Sequence, residues 1–116
     1  MGPVGLWPVS VIEISEKPDK VSNFLEAKSR KGLIVSLDAH GERKDSPDFI
    51  RWVVQSSQDI YFLVWGADGP PKEIPKIKMK SLSLSPMTFS HELARVLLLE
   101  QLYRAGATLR GHPYPR

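Results

Sequence analysis

The chain has 116 residues, of which 41% are hydrophobic and 25% charged, with a net charge of +3. These are ordinary proportions for a single soluble globular domain. The absence of cysteine excludes disulfide bonds and thiolate metal sites, and no apolar run in the sequence is long enough to span a membrane. Because Met1–Val4 also lacks the basic region of a secretory signal, we expect one cytoplasmic domain over residues 1–116, with no metal site.

The first half of the chain alternates between strand and helix signals. Val9–Ile14 alternates in polarity and is β-branched, which predicts a strand. Pro18 then opens a helix with apolar residues at helical spacing, which stops near Gly32. The short apolar run Leu33–Leu37 is typical of a buried parallel strand.

The next segment repeats this alternation. Ser46 followed by Pro47 predicts a helix with a serine N-cap and a proline in its first turn, ending around Ser56. Ile60–Trp65 is the next buried strand. Strand, helix, strand, helix, strand is the pattern of an α/β domain with a parallel sheet.

The last third departs from simple winding. Prolines exclude a long helix after Gly69, so we expect a turn and then an extended stretch at Ile77–Leu84. The last helix, about Phe89–Ala107, has apolar residues on nearly all of its faces. Such a helix requires cover on two sides, and a partner subunit is the simplest second cover.

The excess positive charge lies entirely in the second half. Residues 1–58 hold eight basic and eight acidic residues, whereas residues 59–116 hold eight basic and five acidic ones. Lys72, Lys76, Lys78 and Lys80 cluster before the last helix. One interpretation is a phosphate-binding face, and the other is a solvated strand edge whose lysines deter edge pairing.

The C-terminal segment carries the most specific motif. Gly111–Arg116 places His112, Tyr114 and Arg116 around two prolines that stiffen the backbone, which suggests a site completed by the chain end. A resemblance to a known family rests on the following residues of this segment and of the helix before it: Ser83-Leu84-Ser85, Met87-Thr88-Phe89, His91, Leu93, Arg95-Val96, Glu100 to Ala105 and Gly111-His112-Pro113-Tyr114. They resemble the C-terminus of the RlmH family, bacterial SPOUT-type methyltransferases that act on large-subunit ribosomal RNA.

Two upstream segments extend this resemblance to roughly Val9 onward. Leu63–Gly69 looks like the family's glycine-rich cofactor loop, and Leu33–Gly41 looks like its Leu-Asp strand end. The resemblance implies a small parallel-sheet α/β fold with a C-terminal trefoil knot, a homodimer, and S-adenosylmethionine as cofactor. It also implies methylation of a ring nitrogen of a pseudouridine in ribosomal RNA.

The resemblance assigns candidate residues to two roles. The cofactor-binding candidates are Leu37, Trp65, Gly66, Leu84, Ser85, Pro86, Met87, Thr88 and Phe89. The catalytic candidates are Arg104, His112 and Tyr114, which would stabilise a phosphate or the base anion, accept a proton, and stack on the flipped base.

Three of these residues have a structural alternative. Gly66 would also serve simply to turn the chain, and Thr88 would serve to cap the last helix. Arg104 would also form an ion pair with Glu100 one helical turn earlier.

Three departures from the family pattern bear on activity. Trp65 replaces the first glycine of a Gly-Gly pair, and its indole would either fill the cofactor space or point into the core. Pro115 replaces the second tail histidine. The family's N-terminal strand and helix have no counterpart before Leu6, which predicts a sheet smaller by one strand or covered by a partner at its edge.

These observations lead to one primary hypothesis and two others. The primary hypothesis is a homodimeric RNA methyltransferase that uses S-adenosylmethionine. The second is a reduced SPOUT relative that binds RNA or another partner without methyl transfer. A small nucleotide-binding or regulatory domain is the third, but no P-loop or complete G-x-G-x-x-G supports it.

Overall fold

The fold is a parallel sheet with helices on both faces, seen here in a computed structural model that describes residues 17–66, 79–85, 87, 89–109 and 111. Within these residues the sheet has the order β2-β1-β3, and both strand pairs are parallel. This confirms the α/β prediction, whereas the strand predicted at Val9–Ile14 lies outside the described residues. In chain order the elements are α1 (Pro18–Ser29), β1 (Gly32–Arg43), α2 (Ser46–Gln55), β2 (Asp59–Leu63), β3 (Met79–Ser83) and α3 (His91–Leu109).

The two faces of the sheet bury different helices, because successive strand side chains point to opposite sides. On one face α1 packs over β1 and β2, and its apolar cluster comprises Val21, Leu25, Ile34 and Leu63. On the other face α2 and α3 cover the sheet with a larger cluster, comprising Val35, Phe49, Val53, Leu82, Leu98, Leu102 and Ala105. The core therefore consists of two layers of side chains on either side of one sheet.

The helix starts follow local signals, with one correction. Proline occupies the first turn of both α1 and α2, as predicted. The N-cap of α2 is Asp45, not Ser46: the Asp45 carboxylate accepts a hydrogen bond from the Asp48 backbone N–H at 2.8 Å. The Asp45 carbonyl also accepts from the Phe49 N–H at 2.9 Å, which sets the helical phase that buries Phe49.

Strand β1 is longer and less regular than predicted. It runs to Arg43 rather than ending at Leu37, and Leu37 and Glu42 both pair with Leu82 of β3. Residues 38–41 are therefore extra residues inserted opposite β3, as in an enlarged β-bulge. Strand β2 ends at Leu63, two residues before the predicted end at Trp65.

Helix α3 has one buried face and one exposed face. Ser90 caps it, because its hydroxyl accepts a hydrogen bond from the Leu93 N–H at 3.2 Å. Thr88, the capping residue that the sequence offered as an alternative role, lies outside the described residues. Leu93, Val96 and Tyr103 are 46%, 59% and 44% exposed. The side away from the sheet thus presents large apolar side chains, as the sequence predicts.

Candidate active site

Three strand ends meet at one edge of the sheet. The parallel register pairs Ser36 with Leu63 and Leu37 with Leu82. Leu37, the last residue of β1 before its bulge, therefore lies at the same level as the segments Val64–Gly66 and Leu84–Ser85, which follow β2 and β3. In open α/β sheets this carboxyl edge is where ligands bind. The structure thus brings together the three segments that the resemblance assigns to a cofactor.

Leu37 and Leu84 face the same side of the sheet at this edge. Both side chains are partly buried and pack against the cluster beneath α2 and α3. Leu84 also borders a cavity of about 110 Å³, in whose wall lies Gln101. The Oε1 atom of Gln101 is buried and has no hydrogen-bond partner among the described residues. Because nucleotide-sized ligands occupy roughly 300 Å³ or more, this cavity accommodates at most a part of such a ligand.

Trp65 lies on the opposite face of the sheet from these two leucines. Its indole packs against the α1-side cluster, and its Nε1–H donates a hydrogen bond to Ser36 Oγ at 2.6 Å. Of the two orientations compatible with the sequence, the structure has the indole in the core. The side chain therefore does not occupy the space beside Leu37 and Leu84.

Ser83 is a candidate functional residue that the sequence reasoning did not single out. It is 2% exposed, and its hydroxyl lies 3.1 Å from the carbonyl oxygen of Ala39 and 2.8 Å from that of Ser85. The single hydroxyl proton is shared between the bulge of β1 and the loop after β3, so Ser83 holds these two strand ends together. The sequence signal was its place at the strand end, in the matched triplet Ser83-Leu84-Ser85.

The loop after β3 exposes apolar side chains. Ser85 Oγ accepts a hydrogen bond from the Met87 N–H at 3.1 Å, which makes a local turn. Met87 is 70% exposed and Phe89 is 37% exposed. Two further candidates in this loop, Pro86 and Thr88, lie outside the described residues.

Arg104 forms the ion pair that was its structural alternative. Its Nε donates to Glu100 Oε1 at 2.9 Å, and the Arg104 side chain is 26% exposed. The pair holds the guanidinium against α3 one turn before its end. The other two catalytic candidates, His112 and Tyr114, lie outside the described residues.

Lys80 lies away from the strand-end edge. It borders an open groove with Gly32, Trp52 and the residues that follow α2, at the amino ends of the strands. Since β3 is an edge strand within the described part of the sheet, Lys80 fits the interpretation of a charged strand edge. The other lysines of its cluster fall in the range 67–78, which the structure does not describe.

The described residues hold neither a metal-binding cluster nor a membrane-spanning helix. Across the described ranges, no three acidic, histidine or cysteine side chains come close enough to hold a metal ion. None of the described helices has both the length and the apolar character needed to cross a membrane.

The fold agrees with the comparison to protein families. Residues 9–115 match the family described as "Predicted SPOUT methyltransferase". Because this match spans nearly the whole chain, the protein belongs to the SPOUT methyltransferase family.

Individual relatives are similar to this chain over most of its length. A protein of Gemmatimonas aurantiaca is 34% identical over 93% of this chain and 79% of its own length. One from Parasynechococcus marenigrum is 41% identical over 93% of this chain and 77% of its own. A third, from Dinoroseobacter shibae, is 38% identical over 97% and 78%. All three are named ribosomal RNA large subunit methyltransferase H, which confirms the family resemblance found in the sequence.

Proposed function

We propose that this protein transfers a methyl group from S-adenosylmethionine to a pseudouridine of large-subunit ribosomal RNA. Family membership and the names of the relatives support methyl transfer and an RNA substrate. The observation that carries the proposal is the meeting of Leu37, Gly66 and Leu84 at one carboxyl edge of a parallel sheet. This is the position at which α/β folds hold nucleotide-like ligands.

The described residues fit an adenosine-bearing cofactor. When bound, S-adenosylmethionine supplies an activated methyl group, and the protein's part is to hold and orient the reactants. Leu37 and Leu84 offer apolar contacts on one face of the sheet, and Gly66, which follows β2, permits a ligand to approach its backbone closely. The indole of Trp65 lies on the other face and does not compete for this space. The full proposed cofactor set is Leu37, Trp65, Gly66, Leu84, Ser85, Pro86, Met87, Thr88 and Phe89, with Trp65 acting through its neighbours.

The catalytic part of the proposal concerns the target nitrogen. A pseudouridine ring N–H becomes a good nucleophile only when it loses its proton, so the site needs a proton acceptor and a positive charge near the resulting anion. Arg104 supplies the charge, and its ion pair with Glu100 orients the guanidinium. His112 accepts the proton, and Tyr114 stacks on the flipped base.

The exposed face of α3 supports the homodimer. Leu93, Val96 and Tyr103 lie at helical spacing, and each has more than two fifths of its surface exposed in the single chain. Association of two copies through this face would remove these side chains from water at about 25 cal/mol per Å² of apolar surface. Because its substrate is ribosomal RNA, we propose a cytoplasmic location.

The first test is calorimetric titration of the purified protein with S-adenosylmethionine, together with its molar mass by light scattering. We expect saturable binding to a dimer. Incubation with methyl-labelled cofactor and unmodified large-subunit RNA or ribosomes should then place label in the RNA. Binding of RNA by a dimer that takes up no cofactor at millimolar concentration would reject the proposal in favour of the non-catalytic relative.

A further inference from the structure

A side-chain hydrogen bond between Trp65 and Ser36 links β1 to the segment after β2, beyond the last backbone pair of these two strands. Pairing of β1 with β2 ends where Ser36 lies opposite Leu63. Trp65 stands two residues beyond that point, and its indole N–H reaches back to Ser36 Oγ at 2.6 Å. Ser36 is 8% exposed, so this hydrogen bond is shielded from competing water.

Each partner of this bond is joined to a candidate cofactor residue. Ser36 precedes Leu37, and Trp65 precedes Gly66. On the α1 face the indole is also packed against the cluster that includes Leu25. Packing on one side and the hydrogen bond on the other restrict the rotamer of Trp65, and with it the direction in which the chain enters Gly66.

We propose that Ser36 and Trp65 are positioning residues that pre-organise the cofactor site through their hydrogen bond, an inference that rests on the function proposed above. Backbone pairing holds β2 beside β1 up to Leu63, and the hydrogen bond from the Trp65 indole holds the chain beside β1 two residues further on. Loss of the bond lets the segment at Gly66 sample other conformations. The apparent affinity for cofactor then falls in proportion to the fraction of molecules that keep the binding geometry.

The test is a double-mutant cycle with Ser36→Ala and Trp65→Phe, read by calorimetric titration with S-adenosylmethionine. We expect each single variant to bind about three- to tenfold more weakly, which corresponds to a competent fraction of roughly 0.1 to 0.3. The double variant should bind no more weakly than the weaker single variant, because both changes remove the same bond. For Ser36→Ala, methyl transfer at saturating cofactor should change less than about twofold, so that KM rises while kcat is kept.

Two further variants separate positioning from general stability. Ser36→Thr keeps a hydroxyl and should restore binding to within about twofold of the unmodified protein. Ser56→Ala removes a hydroxyl that donates to the Gln58 carbonyl at 2.8 Å, at the opposite end of the sheet, and should leave affinity unchanged. If Trp65→Phe fails to fold, the Ser36→Ala and Ser36→Thr pair still decides the question.

The outcomes are distinct. An unmodified protein that binds no cofactor would reject the proposed function itself. An unmodified protein that binds, with Ser36→Ala binding equally well, would reject the positioning role alone. Tighter binding by Trp65→Gly would likewise overturn it, because it would mean that the indole obstructs the site.

Discussion

Gly41 lies close against the backbone of β3, and replacing it with alanine tests the geometry of the strand ends. A Cβ atom added there would lie 2.7 Å from the Ser81 carbonyl carbon, 2.8 Å from the Leu82 nitrogen and 2.9 Å from the Ser81 oxygen. All three are backbone atoms, so no flexible side chain can move aside. Gly41→Ala therefore requires the two strands to separate.

The size of this effect follows from the contact distances. Ordinary contact begins at 3.4 Å, so the shortest distance of 2.7 Å must grow by about 0.7 Å. Overpacking in a well-packed core costs about 1–3 kcal/mol, and a clash that involves only backbone belongs at the upper end, about 3 kcal/mol. With a denaturant dependence of about 2 kcal/mol per molar, the urea midpoint should fall by roughly 1.5 M.

The same displacement should also weaken cofactor binding. Separation of the strands lengthens the hydrogen bond from the Ser83 hydroxyl to the Ala39 carbonyl, now 3.1 Å, and releases the loop that contains Leu84. We expect the affinity of the folded Gly41→Ala variant for S-adenosylmethionine to fall by about tenfold or more, measured calorimetrically well below the urea transition.

A second glycine-to-alanine change, at Gly111, is the control for Gly41→Ala. Gly111→Ala meets no atom within 4 Å, but its φ of +73° is unfavourable for alanine, so we expect a loss of about 1 kcal/mol. If Gly41→Ala were as stable as the unmodified protein, the close approach of β1 to β3 would be refuted. If both variants lost the same small amount, the steric reasoning would fail.

Three further predictions concern α3 and the start of α2. Val96→Asp places a charge on a side chain that is 59% exposed in the single chain, and light scattering should show a monomer; an unchanged dimer would exclude this face as the interface. Asp45→Ala should lower the free energy of unfolding in urea by about 1 kcal/mol and Ser46→Ala by much less, whereas the reverse order would contradict the observed cap. Arg104→Ala should reduce methyl transfer at saturating cofactor by about 100-fold and Glu100→Gln by far less; equal losses would mean that the ion pair has only a structural role.

The elements with strong local signals were predictable from the sequence. Pro18 and the Ser46-Pro47 pair mark helix starts, and the apolar runs that begin at Leu33 and Ile60 mark strands. The choice of Asp45 over Ser46 as the cap was not predictable, because adjacent Asp and Ser are equally good capping residues. The phase of α2 decides between them, since Phe49 has to reach the core.

The candidate site was likewise predictable from the sequence only in part. Its residues were recognised from motifs, and the structure brings the described strand-end segments of the cofactor set to one edge of the sheet. The orientation of Trp65 was open, because a strand buried on both faces is apolar at every position and does not reveal which face meets which helix. Ser83 was overlooked because its partner at Ala39 is 44 residues away in the chain.

The sequence by itself determined the order of helices and strands, the parallel α/β class and the family, since these depend on local propensity, periodicity and motif spacing. Only the tertiary structure decided that residues 38–41 bulge against β3, that Trp65 anchors to Ser36, and which apolar side chains of α3 stay exposed. These features depend on which strands become neighbours and on which side each helix packs. Contacts between residues far apart in the chain leave no periodic trace in the sequence, so only the folded chain reveals them.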